Sequence, residues 1–354
     1  MTTSSYLAVF GLVFAVSLIV SAVVTPLARR LGLRLSLVDR PGGRRQHAGA
    51  ISRLGGIALY SGFTVAVLAS VLSPAGWFPP RLDPKETTRL VGLLVGTGLI
   101  FLFGLLDDRY QFSSWPQYLA QFLSCFIAIG AIIFIERVNS PFGGTQIVFP
   151  WPVVWLLTIF WFMGMMNTVN WLDGLDGLAA GVGAIMSAFL AIHMIREGQL
   201  SVALLPIALL GATLGFLPFN FNPAKVFMGS GGSYFLGWAL AALGIIGGAK
   251  VATVLLVMGL PILDVAWLIF YRWRRGGKVS AGGRDHLHYR LLDMGFTQRQ
   301  IVLGYYAFCL VFGAAALGLE NRLYKAAALL VLAVLAVAVL AWAGRGVAGK
   351  SPPG

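Results

Sequence analysis

Long apolar runs alternate with short polar stretches from one end of the chain to the other. Eleven such runs lie near 5–27, 54–75, 88–106, 116–135, 151–168, 177–195, 199–217, 232–248, 251–271, 300–319 and 323–343. Each has roughly the 17 to 25 residues a helix needs to cross the hydrocarbon core of a bilayer. The pattern predicts an all-α polytopic membrane protein of about eleven transmembrane helices, built as one integral-membrane unit over residues 1–354. Residues 5–27 are too long for a signal-peptide core and are followed by no small-residue cleavage site and soluble domain, so they are expected to be a true span.

Composition narrows the class further. The residues are 58% hydrophobic and only 11% charged, with a mean hydropathy of +0.82, whereas a soluble domain carries about 25% charged residues. Basic residues then orient the chain. With the first helix running inward, one side holds 18 of the 26 Lys and Arg residues and the other holds 8. The richer side is expected to be cytoplasmic, which puts the N-terminus outside and the C-terminus inside. The net charge of +13 suits a surface facing anionic lipid or a phosphate-bearing substrate. Nucleic acid is not an expected partner of an embedded chain.

Only 13 residues are acidic, and seven of them (Asp39, Asp107, Asp108, Asp173, Asp176, Asp285 and Asp293) fall on the expected cytoplasmic side. Asp107 and Asp108 close the third apolar run. Adjacent carboxylates repel each other, and at a helix C-terminus they also oppose the helix dipole. Metal binding or proton abstraction would account for the pair, and a solvated helix end is the bland alternative. Asn167, Asn170 and Asp173 are spaced by three, so a helical turn stacks them on one side before Gly174 and Gly177 release the backbone ahead of Asp176. This oxygen-rich, thiol-free set suits a hard cation such as Mg²⁺, although a polar re-entrant turn would use the same residues.

Three further stretches are polar. Phe219 to Ser233 is glycine-rich just before a helix, where backbone N–H groups can receive phosphate oxygens, and Phe227 is either an interface anchor or a platform for a base. His286 and His288 sit among Arg272, Arg274, Arg275, Lys278, Arg284 and Arg290. The i, i+2 histidine spacing without cysteine argues against zinc, while contact with a pyrophosphate or a plain orientation signal both remain open. Arg44, Arg45 and His47, with Arg53 opening the second run, form another basic patch that is either substrate-binding or an orientation signal. Asp264, inside the ninth run, is a packing group or a functional one. Cys125 and Cys309 show no paired spacing.

Taken together, DRPGGRRQH, RLGG, GLLDDR, NTVNWLDGLDGLAAG, PAKVFMG and DHLHYRLLDMGF resemble, in order, the motifs of the polyprenyl-phosphate N-acetylhexosamine-1-phosphate transferases, which are glycosyltransferases of family 4. The resemblance spans roughly Leu37 to Ile301. It is nearer the undecaprenyl-phosphate GlcNAc-1-phosphate branch than the peptidoglycan branch with its triple-His loop. It implies Mg-dependent transfer of a HexNAc-1-phosphate from a UDP-HexNAc to a polyprenyl phosphate, with release of UMP. The site would lie on the cytoplasmic face of a multi-pass plasma-membrane protein, and a homodimer stays open. By resemblance, Asp107 and Asp108 engage the lipid phosphate, and Asp173 and Asp176 position nucleotide or metal. Asn170 and Ser230 serve the metal, Asn220 and Phe227 hold the uridine, and His286, His288 and Arg290 face the pyrophosphate or sugar. Arg44, Arg45 and His47 are expected to bind substrate.

Three departures stand out. Ser230 replaces a family Asp that binds Mg²⁺, Gln117 replaces a family Lys, and Tyr289 occupies the second place of a double His. A catalytically impaired relative is therefore one alternative. An ion-coupled transporter is another, although the acids sit at helix ends and no internal repeat is visible.

Overall fold

A computed structural model of the chain describes residues 3–39, 49–74, 76–81, 83–140, 145–248, 251–274, 286–319 and 321–348. Arg44, Arg45 and His47 lie outside the described residues, as do Asp285, Arg275, Lys278 and Arg284. In chain order the elements are α1 (Thr3–Arg34), β1 (Val38–Asp39), β2 (Ile51–Ser52), α2 (Gly55–Leu72), α3 (Pro84–Tyr110), α4 (Ser114–Gly130), β3 (Arg137–Asn139), β4 (Gln146–Val148) and α5 (Trp151–Leu172). There follow α6 (Leu178–Arg196), α7 (Leu200–Asn220), α8 (Gly229–Ile246), α9 (Val251–Val257), α10 (Gly259–Arg274), α11 (Leu287–Asp293), α12 (Gln298–Gly318) and α13 (Arg322–Ala348).

The chain is an all-α multi-pass membrane protein. Among the described residues nine helices are long and apolar enough to cross a bilayer. The other two apolar runs are helical too, but differ in form. α4 has 17 residues, about 25 Å of rise. The run at 251–271 breaks at Met258 into α9 and α10. The break has a cause in the sequence. Pro261 has no N–H to bond the Val257 carbonyl, so the ladder resumes only when Ile262 N–H reaches the Met258 carbonyl at 2.9 Å.

A helix that is apolar on every side must be enclosed by protein or by lipid. α8 takes the first course: nearly all its residues are buried, and α2, α3 and α5 pack around it. α1 and α13 take the second, exposing Leu7, Leu12, Ile19, Leu330, Val334 and Leu335. α1 is held to α7 by small residues. Ser17 Oγ donates to the Ala208 carbonyl at 2.6 Å and Ser21 Oγ to that of Ala212 at 2.8 Å, beside Gly211 and Gly215, as expected where backbones meet closely in lipid.

Glycine also brings α3 against α8. A Cβ on Gly104 would lie 2.5 Å from Gly231 Cα, so only a bare backbone lets the last turn of α3 reach the first turn of α8. Beside this contact β1 and β2 pair antiparallel, and Ser52 forms a parallel bridge to Val226. Phe227 N–H donates to the Ser52 carbonyl at 2.8 Å and Gly55 N–H to the Phe227 carbonyl at 2.9 Å. These bonds carry the glycine-rich loop to the start of α2, where Arg53 sits.

Candidate active site

Asp108 ends α3 but serves α8. The Ser230 N–H donates to its Oδ1 at 2.9 Å and the Gly231 N–H to its Oδ2 at 3.0 Å, while Arg53 Nη2 lies 3.5 Å from Oδ1. A carboxylate disfavoured at the C-terminus of its own helix thus sits at the favoured N-terminus of another. The donors that sequence pattern assigned to a phosphate are occupied by this side chain. Gly229 makes the fit achievable: its φ is +72°, and a Cβ there would collide with the Arg53 carbonyl oxygen and the Asp108 carboxylate.

Asp107 is buried beside it with one oxygen engaged. Its Oδ1 accepts from Phe112 N–H at 3.1 Å and from Gln117 Nε2 at 2.9 Å. Gln111, left-handed at φ 51°, turns the chain so that α4 can present Gln117. One turn further, Gln121 accepts from Asn167 Nδ2 at 2.7 Å. Asn167 is thereby committed to joining α4 and α5.

α5 runs to Leu172, and the Asp173 N–H still bonds the Val169 carbonyl, so Asn170 and Asp173 share a side of the helix end, as their spacing predicts. Asn170 Nδ2 donates to Ser233 Oγ at 2.8 Å, joining α5 to α8. Ser230, buried, lies on the first turn of α8 next to Asp108. The Asp173 carboxylate has no hydrogen bond among the described residues. Removal from water and the negative charges of Asp108 and Asp176 hold it well above the usual carboxylate range, with Arg53 offsetting part of the effect.

Asp176 points the other way. Its Oδ2 accepts from Asn222 Nδ2 and Ala224 N–H, both at 3.0 Å, which ties the turn after α5 to the loop after α7. Asn220, expected at the uridine, is buried, with its Oδ1 accepting from Gly177 N–H at 3.1 Å and its Nδ2 donating to the Val226 carbonyl at 3.0 Å. Its amide braces the loop that carries Phe227. The histidine segment closes another side. Trp171 packs against His286 with ring centroids 5.5 Å apart, and Tyr289 Oη donates to the Gly174 carbonyl at 3.2 Å. His288 is buried with both ring nitrogens unpartnered among the described residues, and burial lowers its pKa to about 3. It is therefore neutral at physiological pH. Arg290 lies on α11, partly buried.

The oxygen-only donor set fits a hard divalent cation, since the like-charge repulsion on Asp173 is what such an ion offsets. Among the described residues no three His, Cys, Asp or Glu side chains converge to hold a metal by themselves. A cation here would complete its shell with Asn170, Ser230, water and substrate phosphate, as Mg²⁺ characteristically does. Arg53, Asp264 and Asn222 are the participants that motif reading did not place in the site. Arg53 and Asp264 carried a signal, one as a charge opening α2 and the other as an acid inside an apolar run.

A bundle of membrane helices that gathers carboxylates, amides and an arginine at one cluster of helix ends defines a class of membrane-embedded enzymes. Residues 90–248 match the family described as glycosyl transferase family 4. The chain is 32% identical to the probable undecaprenyl-phosphate N-acetylglucosaminyl 1-phosphate transferase of Bacillus subtilis, over 87% of this chain and 84% of that protein. It is 32% identical to the decaprenyl-phosphate N-acetylglucosaminephosphotransferase of Mycobacterium tuberculosis, over 87% and 82%. It is 28% identical to the undecaprenyl-phosphate alpha-N-acetylglucosaminyl 1-phosphate transferase of Escherichia coli, over 82% and 77%. The chain belongs to glycosyl transferase family 4. Gln117 and Ser230, two of the three positions at which the sequence departs from the motifs it resembles, both border the acidic pair, one bonded to Asp107 and the other to Asp108.

Proposed function

We propose that the protein transfers GlcNAc-1-phosphate from a UDP-linked donor to a polyprenyl phosphate, with Mg²⁺, at the cytoplasmic face of the plasma membrane. The observation that carries this reading is the meeting of Asp107, Asp108, Asn170 and Asp173 with Arg53 at one set of helix ends, in a chain whose relatives bear the names given above. The basic asymmetry along the sequence supports the orientation.

In the reaction an oxygen of the lipid phosphate bonds to the sugar-bearing phosphorus. The P–O bond to UMP breaks, and UMP leaves with the charge. Asp107, with Oδ1 held by Phe112 and Gln117, takes the residual proton of the lipid phosphate through its other oxygen. Asp108 keeps α3, α8 and Arg53 in register, and Arg53 extends positive charge toward the phosphates. Asn170, Asp173 and Ser230 would hold the cation, which when bound supplies charge neutralisation at the diphosphate. Asp176 and Asn220 fix the loop that presents Phe227 to the uracil, and His286 and Arg290 face the diphosphate or sugar.

The test is release of UMP by purified protein given Mg²⁺, polyprenyl phosphate and a panel of UDP-sugars. UDP-GlcNAc is expected to be turned over only with the lipid phosphate present. No UMP from any UDP-sugar at any Mg²⁺ concentration would refute the reading.

A further inference from the structure

Asp264 lies on α10 six residues beyond the break at Met258, and both its oxygens reach the histidine segment. Oδ1 accepts from Leu287 N–H at 2.9 Å, and Oδ2 lies 3.1 Å from His286 Nδ1. Asp264 is only 4% exposed. A buried carboxylate inside an apolar run is costly to keep. Capping a seven-residue helix does not by itself require a full charge.

The two histidines differ in a way that assigns that charge a purpose. Among the described residues both ring nitrogens of His288 are buried and unpartnered, whereas Nδ1 of His286 has a partner in Asp264. His286 stacks parallel on His288 at 5.4 Å and packs on Trp171, two residues before Asp173. Its Nδ1 is committed to Asp264, so only Nε2 can serve the reaction. An ionised carboxylate accepts hydrogen bonds and donates none, so the partner nitrogen must carry the proton.

We propose that Asp264 is a positioning residue: it fixes the proton of His286 on Nδ1 and aims Nε2 at the diphosphate, acting through the histidine without touching substrate. This rests on the functional reading above, in which His286 faces the phosphates. The break at Met258 contributes by setting α10 at the height where Asp264 meets α11.

The isosteric change Asp264→Asn separates this role from packing. The Asn oxygen can still accept from Leu287 N–H, but its amide now donates to His286 Nδ1 and reverses the tautomer, a change known to disable His–Asp pairs without moving the ring. With only four histidines in the chain, ¹⁵N-histidine spectra can be assigned by single substitution. Wild-type protein is expected to carry the proton on His286 Nδ1, and Asp264→Asn to lose it. Turnover should fall about 10- to 100-fold, with the donor KM changed by less than about 3-fold. In a double-mutant cycle, His286→Ala with Asp264→Asn should be no slower than His286→Ala alone. Asp264→Glu, which retains the acceptor, should recover the Nδ1 proton and part of the turnover. An unprotonated Nδ1 in the wild type overturns the proposal even if every variant fails to fold, and so does a double mutant whose losses simply add. If the wild type releases no UMP, it is the functional reading that fails, and the nitrogen spectra still decide whether Asp264 sets the tautomer.

Discussion

Two carboxylates of this site differ in their partners. At the junction of α3 and α8, Asp108 is satisfied by two backbone N–H groups and Arg53. At the end of α5, Asp173 has no hydrogen bond among the described residues and feels the negative charge of Asp108 and Asp176. Buried charges are tolerated when paired, and a group left unpaired lowers the stability of the fold that holds it. The first carboxylate therefore belongs to the architecture. The second holds free capacity for a cation or a phosphate that arrives from outside.

Removing each one should separate these roles, beginning with the largest effect. Asp108→Ala leaves two helix N-terminal donors and Arg53 without their acceptor, so it is expected to cost about 3–5 kcal/mol of stability. Thermal unfolding in detergent would register this as a large fall in Tm or loss of folded protein, and an unchanged Tm would erase the distinction between the two carboxylates. Asp173→Asn should reduce UMP release by about 100-fold or more while the protein stays folded. The raised pKa of Asp173 means its ionisation opposes folding. The stability contribution is complete below the ordinary carboxylate value and falls as pH rises from there toward the raised value. The neutral amide escapes that penalty, so without divalent cation the variant should melt higher than the wild type at neutral pH.

A smaller effect is expected at the α3–α8 seam. Gly229→Ala forces a side chain into a left-handed backbone against the Arg53 carbonyl, at a cost of about 1–3 kcal/mol. Its Tm should fall, as thermal unfolding in detergent would show. The last effect is absent at neutral pH and appears only in acid, at His288, whose folded pKa of about 3 lies below its ordinary value of 6.5. Its contribution is full above pH 6.5 and is lost as pH falls toward 3, by up to about 1.4 kcal/mol per pH unit. His288→Phe should flatten the melting curve of Tm against pH in that window.

Much of this layout was legible in residue order. The apolar runs foretold helices at all eleven places, and the spacing of Asn170 and Asp173 foretold their shared side. What sequence could not supply was partnership across distance. Arg53 and Asp108 meet because Gly104 and Gly231 let two helices touch and Ser52 bridges Val226, and none of these contacts has a local signature. The glycine-rich loop looked like a phosphate cradle because its donors are unsatisfied within the loop itself, yet Asp108 fills them. Asp264 and His286 are likewise far apart in sequence, and nothing in the residues between them says that the two meet.

The most direct measurement is the effect of Mg²⁺ on thermal stability in wild type and in Asp173→Asn, followed without any substrate. If the unpaired carboxylate is kept for a cation, Mg²⁺ should raise the Tm of the wild type, by relieving the repulsion on Asp173, and leave the variant almost unmoved. Equal Mg²⁺ shifts in the two proteins would contradict this, and would mean that the cation is held elsewhere or not at all.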